Sequence, residues 1–310
     1  MNNSFLPFSC EWYRYKSYQI KNGKIMQNKE NKNGEIILYN PFDFYTIEND
    51  FRQKLDDRPN INDLQIHWSF ASINSEQSVF EWVSKYGMPY YIYGKDNGES
   101  NNELNRDFPL SPDANIRALK NNALSIKDIQ KEVETFRNTI DLYNALKNSD
   151  SESIWETFLR SYLRNTWQPL FYRDSDSSIS VINAVSLNNS ILNKEPLTKD
   201  EVIDAANKDS FLIASEYLTA LISYSTQSVH ETIKFTKIGL QSFAMVSYSF
   251  SSILALLYKM LLIEWSKGYS IRHCADPKCN TYFIPSNNKN MFCSSLCKNR
   301  VKMQNYRKDK

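Results

Sequence analysis

The sequence predicts an α+β protein with a mainly helical body, a small β-containing region at its N-terminus and a small cysteine-rich module at its C-terminus. Three observations carry the prediction: a hairpin signal near the start, apolar residues at helical spacing through the middle, and four of the five cysteines within the last 37 residues. A hydrophobic content of 41% is sufficient for a core in a chain of 310 residues. The predicted ranges are 1–94 for the N-terminal region, 114–267 for the helical domain and 268–310 for the C-terminal module.

The N-terminal region combines strand and helix signals. Tyr13 to Gln27 is predicted as a hairpin because Asn22-Gly23 is a strong two-residue turn signal. Glu35 to Tyr39 is predicted as a strand, and Ser75 to Tyr86 as a helix ended by the glycine and proline that follow.

Two features of this region can each be interpreted in two ways. Tyr86, Tyr90, Tyr91 and Tyr93 form an aromatic cluster, which we interpret as core packing rather than as a platform for stacking bases. The polar stretch 95–113 is either a domain boundary or an exposed loop.

The middle of the chain is predicted to be helical. One apolar stripe recurs at spacings of three and four residues; its members are Ile126, Ile129, Val133, Phe136, Ile140 and Tyr143. The stripe predicts a core helix, and the alternative is a short coiled-coil seam that joins a homodimer. Ile154 to Leu163 forms a second helix, and a capping box over Thr198–Glu201 opens a third that runs to about Ser225.

The segment before the cysteines is predicted as a strand followed by an apolar helix. Glu231 to Ser247 contains alternating stretches, and Ser251 to Trp265 is apolar except for Lys259 and Glu264. This helix is too short and too charged to span a bilayer, so we expect no membrane contact. Met1–Pro7 has neither a basic segment nor an apolar core, which predicts a cytoplasmic protein with reduced thiols.

The cysteines follow the pattern Cys274-x4-Cys279-x13-Cys293-x3-Cys297. Two close pairs joined by a short polar loop can surround one tetrahedral Zn²⁺, so we predict a structural zinc site. The alternatives are two disulfides, which a reducing compartment disfavours, or four unrelated thiols. His273 is expected to be a bystander because four cysteines fill a closed structural site.

The residues between the cysteines predict a treble-clef-like arrangement. Pro277 favours a turn between the first two cysteines, and Thr281 to Ile284 is predicted as a short strand. Ser294 and Ser295 suit the start of a helix that carries the last cysteine pair.

Charge separates the two ends of the chain. From Gly268 to Lys310 there are nine Lys/Arg and two acidic residues, so this segment carries +7; the whole chain carries +2, which leaves −5 for residues 1–267. A basic cluster on an acidic body is the electrostatic pattern of a nucleic-acid binder. The alternative is a solvated helix whose charges only maintain solubility. The expected phosphate contacts are Lys298, Arg300, Lys302, Arg307 and Lys308.

The C-terminal module resembles the bacterial CGNR-type zinc finger. The resemblance rests on the first cysteine pair, Phe283, Phe292-Cys293-Ser294 and the run Cys297-Lys-Asn-Arg-Val-Lys302, with Lys298 where that family has glycine. It covers about forty residues, and it implies a DNA-binding regulator with duplex DNA as partner and a helical N-terminal domain. We expect the body of this chain to sense or bind a partner or to form a homodimer.

Catalysis is not expected. The three histidines lie in no metalloprotease or nuclease motif, Cys10 is a lone thiol, and the carboxylate pairs Asp56-Asp57 and Asp174/Asp176 are typical of solvated turns. The function predicted is therefore nucleic-acid binding through a zinc finger. The alternatives are an RNA binder and a protein-interaction or defence-system component in which the finger is only structural.

Overall fold

A computed structural model describes residues 8–9, 12–28, 36–41, 65–90, 123–165, 170–173, 179–182, 196–238, 241–269, 271–287 and 289–308. Helices and small sheets within these residues give the α+β fold that the sequence predicts. By contacts the chain divides into two compact units: the first joins Met1–Gln130 to Gln227–Lys310, and the second is Lys131–Thr226. The three domain ranges drawn from the sequence stay a prediction.

The elements are numbered in chain order. The strands are β1 (Phe8–Ser9), β2 (Trp12–Tyr15), β3 (Tyr18–Lys21), β4 (Lys24–Gln27), β5 (Ile36–Tyr39), β6 (Ala123–Ser125), β7 (Leu170–Arg173), β8 (Ile179–Ile182), β9 (His230–Ile238), β10 (Gln241–Ser249), β11 (Arg272–His273) and β12 (Tyr282–Phe283). The helices are α1 (Ile66–Ala71), α2 (Glu76–Tyr86), α3 (Ile126–Asn148), α4 (Ser151–Arg164), α5 (Lys199–Lys208), α6 (Ser210–Thr226), α7 (Ile253–Ser266) and α8 (Ser295–Lys308).

Small sheets in the first unit join distant parts of the sequence. One has the order β1-β10-β9, in which β1 is parallel to β10; a second has the order β3-β4-β6, and a third pairs β2 with β5. The turn between β3 and β4 lies at Asn22 and Gly23, as predicted, and both have the positive φ that a type I′ turn requires (54° and 71°). The predicted hairpin is wrong for residues 13–15, because that segment pairs with β5 instead.

The centre of the first unit is built on two buried helices. Ten of the fourteen residues of α7 are buried, and so is every residue of α1. The Oε2 atom of Glu264 lies 3.0 Å from His67 Nε2 and accepts a hydrogen bond from Trp68 Nε1 at 3.2 Å. A carboxylate that is 3% exposed is therefore held by two neighbouring side chains of α1, which attaches that short helix to α7.

The second unit is built mainly from helices. Helix α3 begins in the first unit and continues into the second, and every member of its predicted stripe from Ile126 to Ile140 is buried, which agrees with a core helix, while Tyr143 is half-buried. Thr198 and Glu201 form the expected capping box of α5. The helix predicted to continue to Ser225 is interrupted at Asp209, whose Oδ1 accepts a hydrogen bond from Leu212 N at 2.9 Å and so begins α6.

Several predictions concern residues that the structure does not describe. The stretch 95–113, Tyr91, Tyr93, Cys10 and the two carboxylate pairs lie outside the described residues. Tyr86 and Tyr90 are buried, which agrees with core packing for these two. Within the described residues, none of the helices combines the length and the apolar character that crossing a bilayer requires.

Candidate metal centre

The first cysteine pair lies on a short hairpin and the turn inside it. Cys274 directly follows β11, and its backbone N–H donates to Thr281 O at 3.0 Å. Between the two cysteines, Asp276 forms the turn: its carbonyl accepts from Cys279 N at 2.8 Å and its Oδ1 from Lys278 N at 3.1 Å. An aspartate that bonds a backbone amide two residues on is a common turn former.

The second cysteine pair lies at the N-terminus of α8. Ser294 Oγ accepts a hydrogen bond from Cys297 N at 3.3 Å, which makes Ser294 the N-cap of the helix. Cys293 precedes this cap and Cys297 lies in the first turn, and the start of the helix brings their sulfurs close together. The positive end of the helix dipole favours thiolates there.

The four sulfurs converge in the geometry of a tetrahedral site. All four Sγ atoms lie within 4.8 Å of one another. The Sγ atoms of Cys279 and Cys293 are 3.5 Å apart, and those of Cys293 and Cys297 are 3.7 Å apart. A zinc–sulfur distance of about 2.3 Å gives a tetrahedron with edges of about 3.8 Å. These separations exclude disulfides, and the four cysteines are free thiols.

Neighbouring thiols and burial shift the pKa values of three of the four cysteines, one downwards and two upwards. Hydrogen bonds from the thiols of Cys274 and Cys293 lower the pKa of Cys279 well below its usual range. Hydrogen bonding to Cys274 and Cys279 raises the pKa of Cys293, and burial raises the pKa of Cys297 to about 11. A divalent metal would neutralise the thiolates that it binds and release their protons.

An apolar shell covers the sulfurs. Phe283 is buried against Cys274, Cys293 and Cys297, and the partly buried Phe292 packs against the same cluster. The Cys293 backbone N–H donates to Cys274 Sγ at 3.5 Å. Such amide–sulfur bonds and the exclusion of water orient and stabilise the ligands of a metal site.

A buried ion pair joins the turn of the first cysteine pair to α8. Asp276 has a fully buried side chain, and its Oδ2 lies 3.0 Å from Arg300 Nη1. Within the described part of the chain no donor forms an aligned hydrogen bond with this Oδ2 atom, so the contact is an ion pair between the carboxylate and the guanidinium. The Asp276 carboxylate therefore connects both halves of the site through one oxygen each.

The cysteine module also contacts α1 within the first unit. The Tyr282 backbone N–H donates to Ser72 Oγ at 3.3 Å, immediately after α1, and both residues are buried. Ile271 is completely buried where the chain enters the module. His273 is exposed and its ring lies 5.1 Å from that of Tyr282, outside the sulfur quartet.

Comparison with protein families agrees with this geometry. Residues 270–310 match the model of the CGNR zinc finger. All four converging cysteines of this chain lie within the matched segment, so the resemblance expected from the sequence is confirmed for the CGNR finger. No curated protein matches the chain, and no solved structure matches it. Family and geometry together identify a structural zinc site, because four thiolates fill a tetrahedral shell.

The cations expected to contact phosphate do not share one environment. Lys298, Lys302 and Arg307 of the CGNR finger are exposed on α8. Arg300 is mostly buried and paired with Asp276, and Lys308 is the last residue of the helix. The structure thus brings three of the five together on exposed parts of one helix.

Two residues of the site are absent from the sequence-based prediction. Asp276 has a recognisable signal, since Asp-Pro between two cysteines favours a turn in which the carboxylate bonds a nearby amide. Ser72 has none: it lies 210 residues from Tyr282, and its role depends on tertiary packing.

Proposed function

We propose that this chain binds nucleic acid through the CGNR finger, with duplex DNA as the partner. The observation that carries the proposal is the exposure of Lys298, Lys302 and Arg307 on a helix that holds one of the four sulfurs in its first turn and a second just before its N-cap. A helix anchored in this way presents its cations at fixed positions, which reduces the conformational entropy lost on binding a phosphate backbone.

The proposed role is that of a DNA-binding regulator and not of an enzyme. The zinc would supply folding free energy to the finger, held by Cys274, Cys279, Cys293 and Cys297. A shell of four thiolates offers no open position at which water could be activated. The remainder of the chain is proposed to sense a signal or to mediate assembly, for which the homodimer remains the simplest form.

The test is a salt series of binding by the full-length, zinc-loaded chain. Fluorescence anisotropy with a mixed-sequence DNA duplex, the single strand and an RNA of the same sequence separates the three polymer classes. Three phosphate contacts predict a slope of log K against log salt of about −3 for the duplex. Lys302→Gln is expected to reduce the magnitude of this slope by about 1, since one contact is lost.

The matched control is Lys208→Gln, which removes an exposed lysine of the second unit and is expected to leave the slope unchanged. Preference for the unpaired RNA indicates an RNA binder. Zinc-dependent folding without salt-sensitive binding to any of the three contradicts the proposal and supports a protein-interaction role for the finger.

A further inference from the structure

One side of α8 is exposed along its whole length and is not uniformly charged. Leu296, Asn299 and Met303 follow one another at spacings of three and four residues, which places them in one stripe along the helix. All three are exposed, and Leu296 and Met303 are 46% and 54% exposed. We call these three residues the outer face of α8; Cys297 lies on the opposite, buried side.

Cations border the outer face on both sides. At about 100° per residue, Lys302 lies about 90° to one side of the stripe centre and Arg307 lies about 50° to the other, one turn beyond Met303, whereas Lys298 lies about 130° away and does not border the face. All three are exposed. The helix therefore presents a weakly polar and apolar centre between two positive margins.

This arrangement matches the major groove of B-DNA in size and chemistry. The groove is about 12 Å wide and admits a helix about 10–12 Å in diameter, with a phosphate backbone along each wall. Its floor carries thymine methyl groups, which apolar side chains contact, and the N6/N7 edge of adenine, which asparagine recognises. Two alternatives fit less well. A surface that contacted only phosphates would need no apolar centre, and binding of the outer face to an apolar groove of another protein would leave the cations on both sides without partners.

We infer that the outer face of α8 enters the major groove of duplex DNA, where Asn299 and Met303 contact base edges while the marginal cations hold the two backbones. The inference rests on the proposed function and adds to it the groove and the residues that determine sequence preference.

The test compares two duplexes of identical sequence with the full-length, zinc-loaded chain. The sequence is first selected from a random pool of duplexes, and one copy is then made with 7-deazapurines, which lack N7 in the major groove but keep the minor-groove edge and the phosphates. Binding to the deaza duplex is expected to be weaker by about fivefold or more, with an unchanged salt slope.

Variants assign the effect to residues. Asn299→Ala and Met303→Ala change exposed positions, so their zinc content is expected to match the wild type. Each should alter the selected sequence and leave the salt slope unchanged. Lys302→Gln should do the reverse, with a shallower slope and the same selected sequence.

The outcomes distinguish the major-groove inference from the proposal that the chain binds nucleic acid. Salt-dependent binding with equal affinity for the two duplexes overturns the major-groove assignment and leaves nucleic-acid binding standing. Absence of binding to any duplex overturns both. Self-association that Met303→Ala abolishes, with unchanged DNA affinity, shows that the outer face is covered by a second copy and also overturns the inference.

Discussion

Asp276 is the residue on which the two halves of the zinc site depend. Its Oδ1 accepts the Lys278 amide in the turn of the first cysteine pair, and its Oδ2 pairs with Arg300 in the helix of the second. Because the carboxylate is fully buried, removing its charge leaves a mostly buried guanidinium without its counter-ion.

Asp276→Asn is expected to weaken zinc binding. An asparagine keeps the oxygen that closes the turn but loses the charge that balances Arg300, for a loss of about 1–3 kcal/mol. Since folding of the finger and metal binding are coupled, this loss corresponds to roughly a 5- to 150-fold lower zinc affinity, measured by competition with a chromophoric chelator.

A double-mutant cycle with Arg300→Gln isolates the pair, because the two losses should not add if the residues act together. Lys298→Gln changes an exposed cation of the same helix and should leave the zinc affinity unchanged. Additive losses would show that the ion pair contributes nothing of its own.

At the scale of single elements, the end of α2 shows how a glycine can be fixed by its neighbours. Gly87 has φ of 88°, and its N–H donates to Val83 O at 2.7 Å to end the helix. A Cβ atom at this position would lie 2.9 Å from Arg14 Cβ and 3.6 Å from Trp12 Nε1. Both the backbone conformation and the close approach of β2 therefore require glycine here.

Gly87→Ala is expected to destabilise the first unit by about 2–4 kcal/mol, because it adds steric overlap to an unfavourable backbone conformation. Urea unfolding followed by tryptophan fluorescence measures the change.

Gly23→Ala provides a comparison with a positive φ of 71° and, among the described residues, no atom within 4 Å of the added Cβ. It should destabilise by only about 1 kcal/mol, because the turn conformation is milder than the φ of 88° and ψ of −177° at Gly87 and no steric overlap is added. Equal losses for the two variants would contradict both the strained backbone at Gly87 and the close packing of β2 on α2.

The elements that the sequence predicts well are those with local signals. The helix start at Ser75, the capping box at Thr198 and the turn at Asn22 are each determined by residues adjacent in the chain, and all three occur as expected. The cysteine spacing is a signal of the same kind, since each pair is closed by its own turn.

The elements that escape prediction depend on distant partners. Helix α1 has six residues, all buried, with no side-chain cap, so neither periodicity nor a start signal marks it. Its attachment to α7 pairs His67 with Glu264 across the sequence, and the strand at Trp12 joins β5 instead of the nearer hairpin. Tertiary contacts determine these features, and a single sequence does not contain them in local form.

At the scale of the whole chain, the zinc site is part of the first unit and contacts helix α1 of the same unit. Tyr282 and Ser72 share a buried hydrogen bond, and β12 packs near the end of that helix. Loss of the metal should therefore affect α1 as well as the finger, whereas the helices of the second unit form a separate set of contacts.

Chelation of zinc is expected to remove the amide protection of residues 271–308 and to increase exchange in α1. A finger of this size has too small an apolar core to fold without its metal, which in such modules contributes about 10–16 kcal/mol. Helices α4 and α6 should exchange as before, and hydrogen-exchange mass spectrometry with and without chelator measures each segment.

Readdition of zinc should restore the original pattern, and magnesium, which prefers oxygen ligands, should not. Unchanged protection of the finger after verified metal removal would show that the sulfur cluster does not need the ion.

The parallel pairing of β1 with β10 has a consequence for biosynthesis. Phe8 lies beside Val246, so the partner of one of the first strands is made 238 residues later. At about 5–20 residues per second, a ribosome needs roughly 10–50 s to bridge that interval. The continuous segment Lys131–Thr226 is complete before that partner strand has been made, whereas the discontinuous unit must wait for residues 227–310. The early strand therefore stays without this partner throughout the interval.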